Sequence, residues 1–509
     1  MSETSIGLTP GELQKRALRG VTWSSFSSML ALPLAIVVST VLARTLGPEG
    51  FARLALLSFV VPLLFAVTDL GVSQAGTREA SRAYAAGDLA EARALLAKTL
   101  GWNLLRFPVV CPLALLLVGG NVLASAAVAG YLLLALGSAG VNLSLNAENR
   151  VAALAKVAFV QALAAAAASI SAAFAGAAPE TVFALALASG GVAAPLWLVA
   201  SNPLLRRAAL VPRLPRGLPA GFWRYGVTAL AASVGTLLVF SRSEVVILDL
   251  LEEQQALAVF ALAYGLAQRL TTPIDTLLGP LVPALAALDA AHPERLRAGF
   301  ERALRLAAVA VGFLAAATVA GVAFLAPFLF GAGYGGVGTA FAALAAISLL
   351  QSVSQPYTAL AYAVGRPQVA LRALAVALVV DVGIAFALIP AIGLWGAVVA
   401  NAAGAVTAIV LAARAVAGKG SVRLAGIAAP RLLFVSAAAA ALGALAGLAA
   451  LQLHPLAATA AAMVGGSGAF VVGARLAGGL LSGGDARVVA DALPRPLARA
   501  LALLVRGAP

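Results

Sequence analysis

The segment GVTWSSFSSMLALPLAIVVSTVLA, at residues 20–43, contains no charged residue. A helix needs about 20 mostly apolar residues to cross the hydrocarbon core of a bilayer, and this segment is long enough. Similar apolar runs recur along the 509-residue chain, which is 62% hydrophobic and only 11% charged. Soluble globular domains carry about 25% charged residues. The pattern predicts an all-α polytopic membrane protein.

Fourteen transmembrane helices are predicted from these runs. The predicted spans are residues 20–43, 51–73, 99–119, 122–146, 151–175, 181–205, 222–249, 256–289, 300–330, 335–364, 368–390, 393–416, 429–451 and 455–480. If both termini are cytoplasmic, 29 of the 34 Lys and Arg residues lie on the cytoplasmic side, two lie outside and three lie within spans. Cytoplasmic loops of membrane proteins are enriched in Lys and Arg, so this distribution supports the count and the orientation.

An internal repeat predicts the domain organisation. Gly20 and Asp69 are separated by 49 positions, as are Gly226 and Asp275, and both acids lie in the second predicted span of their half. We therefore predict two pseudo-symmetric six-helix lobes plus two C-terminal helices. The predicted divisions are an N-lobe at 1–205, a cytoplasmic linker at 206–221, a C-lobe at 222–416, spans 13 and 14 at 417–480 and a cytoplasmic amphipathic tail at 481–509.

Arginines inside or beside the spans are candidate substrate ligands. Arg242 and Arg269 lie near the middle of predicted spans 7 and 8. If they face a shared cavity, their guanidinium groups suit a phosphate or another anion. The alternative is an internal ion pair, for example between Arg242 and Glu244. Arg44 lies in the first predicted outer turn, where a salt bridge or an interfacial anchor competes with a substrate role.

Four intramembrane acids are candidate ion-coupling residues: Asp69, Glu244, Asp275 and Asp381. Carboxylates within spans are rare and costly, and in transporters they often bind H⁺ or Na⁺. Pairing with arginine or capping of a helix is the alternative interpretation, which we favour slightly for Asp381.

Several function classes lack the residues they need. One cysteine and two histidines cannot supply a zinc cluster, and no G-x-x-x-x-G-K-[ST] phosphate loop is present. The net charge of +14 is accounted for by topology determinants, so we expect no nucleic-acid partner. We expect neither an enzyme nor a resident cofactor, only H⁺ or Na⁺ coupling. A glycan polymerase or ligase would need a large outward loop, which the predicted topology lacks.

Short motifs in a fixed order resemble a known family. They are Gly20-Val-Thr-Trp-Ser24, LARTLGPEGF at 42–51, Thr68-Asp-Leu-Gly-Val-Ser73 with Arg78, AVFALAY at 258–264, Leu329-Phe-Gly331 and IPAIGLWGA at 389–397. The ordered set resembles the Wzx-like oligosaccharide flippases of the multidrug/oligosaccharidyl-lipid/polysaccharide exporter superfamily. Glu244 stands where many relatives carry an aspartate, and Arg78 joins the candidate substrate ligands.

The resemblance implies a function and partners. It implies movement of undecaprenyl-diphosphate-linked oligosaccharide from the cytoplasmic to the outer leaflet of the bacterial cytoplasmic membrane, by alternating access around a cationic cavity. The expected partners are this lipid-linked substrate, membrane lipids and a glycan polymerase, and the expected state is a monomer. The alternatives are a peptidoglycan-precursor lipid flippase and an ion-coupled drug antiporter of the same superfamily, although buried arginines would repel cationic drugs.

Overall fold

The fold is all-helical across the residues that the structure describes. The computed structural model describes residues 10–119, 121–148, 150–238, 243–251, 253–278, 281, 285, 293–331, 333–364, 367–417, 429–477 and 480. The helices are α1 (Pro10–Asp69), α2 (Val72–Ala85), α3 (Leu89–Val118), α4 (Val122–Ala147), α5 (Val151–Phe174), α6 (Pro179–Ser189), α7 (Ala193–Ala200), α8 (Pro203–Leu210), α9 (Phe222–Leu237), α10 (Ser243–Leu250), α11 (Gln254–Leu270), α12 (Thr272–Leu278), α13 (Pro293–Phe330), α14 (Val337–Ser352), α15 (Ser354–Ala363), α16 (Pro367–Ile392), α17 (Leu394–Ala417), α18 (Ala429–Ala450) and α19 (Pro455–Leu476).

Eleven helical segments in the described part of the chain are long and apolar enough to cross a membrane. The first, Pro33–Asp69, contains parts of two predicted spans, because α1 is interrupted at Gly47, which has φ 68° and ψ 178°. Predicted spans 7 and 8 correspond to the shorter helices α9 to α12. The prediction of an all-α polytopic membrane protein is confirmed.

The contacts within the chain define two compact units, Met1–Leu237 and Leu238–Pro509. The first unit includes α9, the first part of predicted span 7. Polar contacts hold α9 against α2: Gln74 Nε2 donates to Ser233 Oγ at 2.8 Å, and the Arg78 guanidinium lies 4.3 Å from the centroid of the Tyr225 ring. The division by contacts therefore falls after α9, downstream of the predicted linker at 206–221.

The core of the first unit lies where α2, α3, α4 and α8 meet. Its buried side chains include Tyr84, Leu96, Leu143 and Leu205. Leu205 comes from α8, a short helix that begins at the linker end of the predicted N-lobe. The segment after span 6 is thus partly helical, and its apolar face is part of the packed interior.

The second unit packs α13 against α18 and α19. Phe313 and Phe470 meet edge to face, with 5.7 Å between their ring centroids, and Phe470 is buried beside Val435 and Ala439. Other large apolar side chains on these helices point outward, such as Phe434 of α18 at 76% exposure. Since lipid tails are as apolar as leucine, an exposed apolar surface is what a membrane-spanning helix requires.

Candidate functional site

A buried polar cluster in the second unit brings two of the four predicted acids together. Glu244 is the second residue of α10, and Asp381 lies in the middle of α16. Both are 0% exposed, as is Asn401 of α17. The Ser243 hydroxyl links the two acids: its Oγ lies 2.5 Å from Asp381 Oδ2 and 3.3 Å from Glu244 Oε2. We call Ser243, Glu244, Asp381 and Asn401 the carboxylate cluster.

Helices α16 and α17 can pack closely beside the cluster because a glycine lies at their contact. A Cβ atom built on Gly404 of α17 would lie 3.0 Å from Asp381 Cβ, so a larger residue would press α16 away from α17. One turn earlier on α17, Asn401 Oδ1 accepts a hydrogen bond from Gln351 Nε2 of α14 at 3.4 Å. Three helices in addition to α10 therefore position the cluster.

The carboxylate cluster is incompletely satisfied. Among the described residues, Glu244 Oε1, Asp381 Oδ1 and Asn401 Nδ2 are buried atoms without a hydrogen-bond partner. Buried polar atoms are nearly always paired, because an unpaired one costs about 1–3 kcal/mol. A single serine hydroxyl has one proton and can donate to only one of the two carboxyl groups. The cluster therefore has acceptor oxygens available for a further proton or cation.

The chemistry of these ligands suits a small hard cation. Two carboxyl groups at one hydroxyl repel each other when both are ionised, and a bound proton or Na⁺ removes that repulsion. Carboxylate, hydroxyl and amide oxygens are also the ligands preferred by hard metal cations. Within the described ranges, no group of three or more His, Cys, Asp and Glu residues is placed to hold a metal ion.

Asp69, in the first unit, has a different environment. Its carboxylate accepts hydrogen bonds from the Ser73 backbone N–H at 3.0 Å and the Ser73 hydroxyl at 2.7 Å. Arg106 Nη1 lies 3.6 Å from Asp69 Oδ1 and also donates to the Phe65 carbonyl at 2.8 Å. Asp69 therefore faces a cationic side chain, whereas the described hydrogen-bond partner of Glu244 and Asp381 is the uncharged Ser243 hydroxyl.

The equivalent acid of the repeat, Asp275, lies on α12 just after a helix break. The Thr271 hydroxyl donates to Asp275 Oδ2 at 2.9 Å, and Gln355 Nε2 donates to Asp275 Oδ1. Arg269 is exposed in the last turn of α11, close to the same break. Predicted span 8 is thus interrupted beside both of its candidate site residues.

Two further candidate arginines, Arg78 and Arg44, belong to the first unit. Arg78, on α2, contacts Glu79 at 3.4 Å as well as the Tyr225 ring. Arg44 is exposed on α1, before the break at Gly47. Arg242 lies outside the described residues, so its predicted pairing with Glu244 stays a prediction.

Residues 17–288 match the family described as "Polysaccharide biosynthesis protein". This match spans more than half of the chain. The chain belongs to the polysaccharide biosynthesis protein family. Among curated proteins, none is a significant match.

Solved structures with a similar fold are transporters. A multidrug resistance MATE family transporter of the MOP superfamily, in an inward-facing conformation, aligns with a TM-score of 0.55 and 16% identity over 79% of this chain and 98% of its own. The lipid II flippase MurJ, in an inward closed conformation, aligns with a TM-score of 0.59 and 10% identity over 89% of this chain and 98% of its own. The MATE multidrug transporter DinF-BH aligns with a TM-score of 0.51 and 16% identity over 82% and 97%. At these identities the similarity shows the fold alone.

The sequence analysis missed three polar residues in and beside the carboxylate cluster. They are Ser243 and Asn401 of the carboxylate cluster, and Gln351, which donates to Asn401. Asn401 had a readable signal, because it is a polar amide within the apolar stretch GAVVANAAGAV at 396–406, and polar residues within spans are costly unless they have partners. Ser243 and Gln351 had none, since serines and glutamines also occur elsewhere in the predicted spans.

Proposed function

We propose that this protein is an ion-coupled flippase that moves undecaprenyl-diphosphate-linked oligosaccharide from the cytoplasmic to the outer leaflet of the bacterial cytoplasmic membrane, by alternating access. Membership of the polysaccharide biosynthesis family supports the glycan class. The transporter fold supports movement of a substrate over chemical conversion, so no enzymatic activity is part of the proposal. The observation that carries the coupling mechanism is the carboxylate cluster with its unsatisfied oxygens.

In this mechanism the carboxylate cluster binds H⁺ or Na⁺. Glu244 and Asp381 repel each other when both are ionised, and this repulsion would favour a conformation in which α10 and α16 separate. Binding of a cation would favour the conformation in which both helices share the Ser243 hydroxyl. A ligand shifts such an equilibrium only by its differential affinity for the two states, and the buried oxygens are well placed to provide that difference.

We assign coupling to this cluster in preference to the other predicted acids. Asp69 already faces Arg106 and two donors from Ser73, so a bound cation would compete with an arginine. Asp275 is exposed and accepts from two side chains. Neither is as completely buried as Glu244, which is 0% exposed.

The substrate's diphosphate needs cationic partners. Of the two candidate arginines within predicted spans, Arg269 is the one whose position the structure describes. Its exposed position beside the break in predicted span 8 leaves its guanidinium group accessible. A bidentate arginine matches phosphate oxygens better than a lysine does. We extend the proposal to Arg242, Arg78 and Arg44 as further contributors along the substrate path.

The test is leaflet-resolved transport in proteoliposomes. Fluorescent undecaprenyl-diphosphate oligosaccharide is supplied with an imposed H⁺ or Na⁺ gradient, and an added glycosidase reports the fraction that has crossed. Glu244→Gln and Asp381→Asn keep the side-chain shape and remove the charge, so each should abolish the stimulation by the gradient. Glu148→Gln, which removes a similarly buried carboxylate from the turn after α4, is the matched control.

Two results would overturn the proposal. Gradient stimulation that persists in both cluster variants would refute coupling at Glu244 and Asp381. Absence of flipping by the well-folded native protein, with lipid II or a cationic drug transported instead, would refute the substrate. For headgroup recognition, Arg269→Lys should retain part of the flipping rate and Arg269→Ala should lose about ten- to a hundredfold, as expected for one charge-assisted contact worth about 1.5–3 kcal/mol.

A further inference from the structure

A basic groove lies between the start of α3 and the short helix α8, entirely within the first unit. Its volume is about 760 Å³. Three arginines line it together with alanines and aliphatic residues, and no acidic residue is among the described residues that line it. The arginines are Arg93 of α3, Arg207 of α8 and Arg213 of the segment that follows α8. We call this site the α8 groove.

The two arginines of α8 have different surroundings. Arg206 turns toward the end of α7, where its Nε and Nη2 donate to the hydroxyl and carbonyl of Ser201 at 2.9 and 2.8 Å. The next residue, Arg207, is exposed and lines the α8 groove. Across the groove, Arg93 Nε donates to the Leu204 carbonyl at 2.8 Å. One arginine therefore anchors α8, and its neighbour remains accessible to a ligand.

Close backbone contacts hold the walls of the groove in place. A Cβ atom on Gly140 of α4 would lie 2.5 Å from the carbonyl oxygen of Ala209, and one on Gly101 of α3 would lie 1.9 Å from that of Arg213. The Arg213 backbone N–H also donates to the Ala97 carbonyl at 2.9 Å. The segment from α8 to Arg213 is thus fixed on α3 and α4 and presents its cations at defined positions.

Exposed aliphatic side chains border the same groove. Leu204 and Val211, which line it, are 45% and 49% exposed, and Leu210 and Leu214, next in the chain to lining residues, are 44% and 56% exposed. A short helix with aliphatic residues on one side and arginines beside them is typical of an element at the membrane interface. The distribution of Lys and Arg predicts that this rim faces the cytoplasm, whose leaflet carries anionic lipids.

We propose that the α8 groove binds the phosphate headgroup of anionic phospholipids from the cytoplasmic leaflet. The three arginines supply the charge complementarity, and the bordering leucines and valine would contact the acyl chains. A soluble phosphate would satisfy the cations alone, so the aliphatic rim favours a lipid. This inference is independent of the flippase proposal, because it concerns a lipid that is bound and not moved.

The test measures lipid binding directly, without transport. The detergent-solubilised protein is titrated with short-chain phosphatidylglycerol or phosphatidylcholine, and native mass spectrometry reports the bound fraction. Each basic residue near an anionic lipid surface strengthens binding about fivefold. Replacing the three groove arginines with glutamine should therefore raise the Kd for phosphatidylglycerol about a hundredfold and raise that for phosphatidylcholine, whose choline cation offsets the phosphate charge, much less.

A matched control removes the same charge elsewhere. Arg295, Arg297 and Arg302 lie at the start of α13, on the face predicted to be cytoplasmic, and their replacement by glutamine should leave the Kd within about twofold of the native value, since binding energy of this kind is local. If the triple groove variant does not fold, the single exposed substitution Arg207→Glu replaces it and should weaken binding more than fivefold.

Three results would overturn the proposal. The first is native affinity for phosphatidylglycerol in the folded groove variants. The second is complete displacement of the lipid by millimolar inorganic pyrophosphate, which would indicate a soluble anion site. The third is groove-dependent binding of undecaprenyl diphosphate at far lower concentrations than phosphatidylglycerol, which would make the groove a substrate site.

Discussion

Gly140→Ala and Gly137→Ala, two substitutions one turn apart on α4, should change stability in opposite directions. At Gly140 the added Cβ would lie 2.5 Å from the Ala209 carbonyl oxygen and 3.2 Å from its carbonyl carbon. Cβ atoms essentially never approach a heavy atom within 3.0 Å, so α8 must move away by about half an ångström or more. At Gly137, no atom outside the surrounding helix lies within 4 Å of the added Cβ.

The expected magnitudes follow from overpacking and helix propensity. Inserting a methyl group into a packed interface costs about 1–3 kcal/mol, and the obstacle at Gly140 is backbone, which cannot rotate aside. Alanine is favoured over glycine in a helix interior by up to about 1 kcal/mol, and at Gly137 nothing opposes that gain. Because both substitutions gain this helix propensity, their unfolding free energies should differ by the overpacking cost, about 1–3 kcal/mol, with Gly140→Ala the less stable.

Reversible unfolding in mixed detergent and SDS micelles measures this difference, and limited proteolysis of residues 203–213 reports whether α8 is displaced. The segment should be cut faster in Gly140→Ala than in the native protein, and at the native rate in Gly137→Ala. Equal stability of the two variants, with equal protection of the segment, would refute the close contact between α4 and α8.

Two further predictions concern the ion pairs and the topology. Replacing Arg106 with methionine should lower the unfolding free energy by about 3 kcal/mol, because it leaves the largely buried Asp69 without its cation. Adding Asp69→Asn should restore most of this loss. Replacing the more exposed Arg53 with methionine should lower the unfolding free energy by less than about 1 kcal/mol. In a background without the native cysteine, a single cysteine at Pro48 should react with an impermeant reagent from outside the cell, whereas one at Arg213 should react only after permeabilisation. External labelling at Arg213 would invert every later loop and contradict the fourteen-span topology.

The two acids of the carboxylate cluster were predicted from the sequence as candidate ion-coupling residues. Glu244 and Asp381 are recognisable in the sequence because a carboxylate within an apolar span is costly wherever it lies. The pairing was not predictable: the sequence equally allowed Arg242 as the partner of Glu244, and capping or an arginine as the partner of Asp381. The contact joins Ser243 to a residue 138 positions away, and such a contact depends on how α10 and α16 rotate and pack.

The α8 groove, in contrast, was not predicted from the sequence. Its arginines were counted in the sequence only as signs of a cytoplasmic loop, and α8 itself lay at the border of a predicted linker. Charge counting locates a segment relative to the membrane, but it contains no information about which helices the segment contacts. Gly101 on α3 and Gly140 on α4 provide the contact surface, whereas a Cβ atom added at Gly137, on the same helix as Gly140, would meet nothing within 4 Å.

The sequence by itself determined the class of protein and predicts its spans and their orientation, because transfer of a helix into lipid depends on the apolarity of each segment and on the charges at its ends. Only the tertiary structure decided which intramembrane charges are neutralised. Asp69 is enclosed by Arg106 and Ser73, whereas Glu244 and Asp381 share one hydroxyl and retain unsatisfied oxygens. The physical reason is that a charge in a membrane is stabilised by whatever packs against it, and helix packing brings together residues that are distant in the chain.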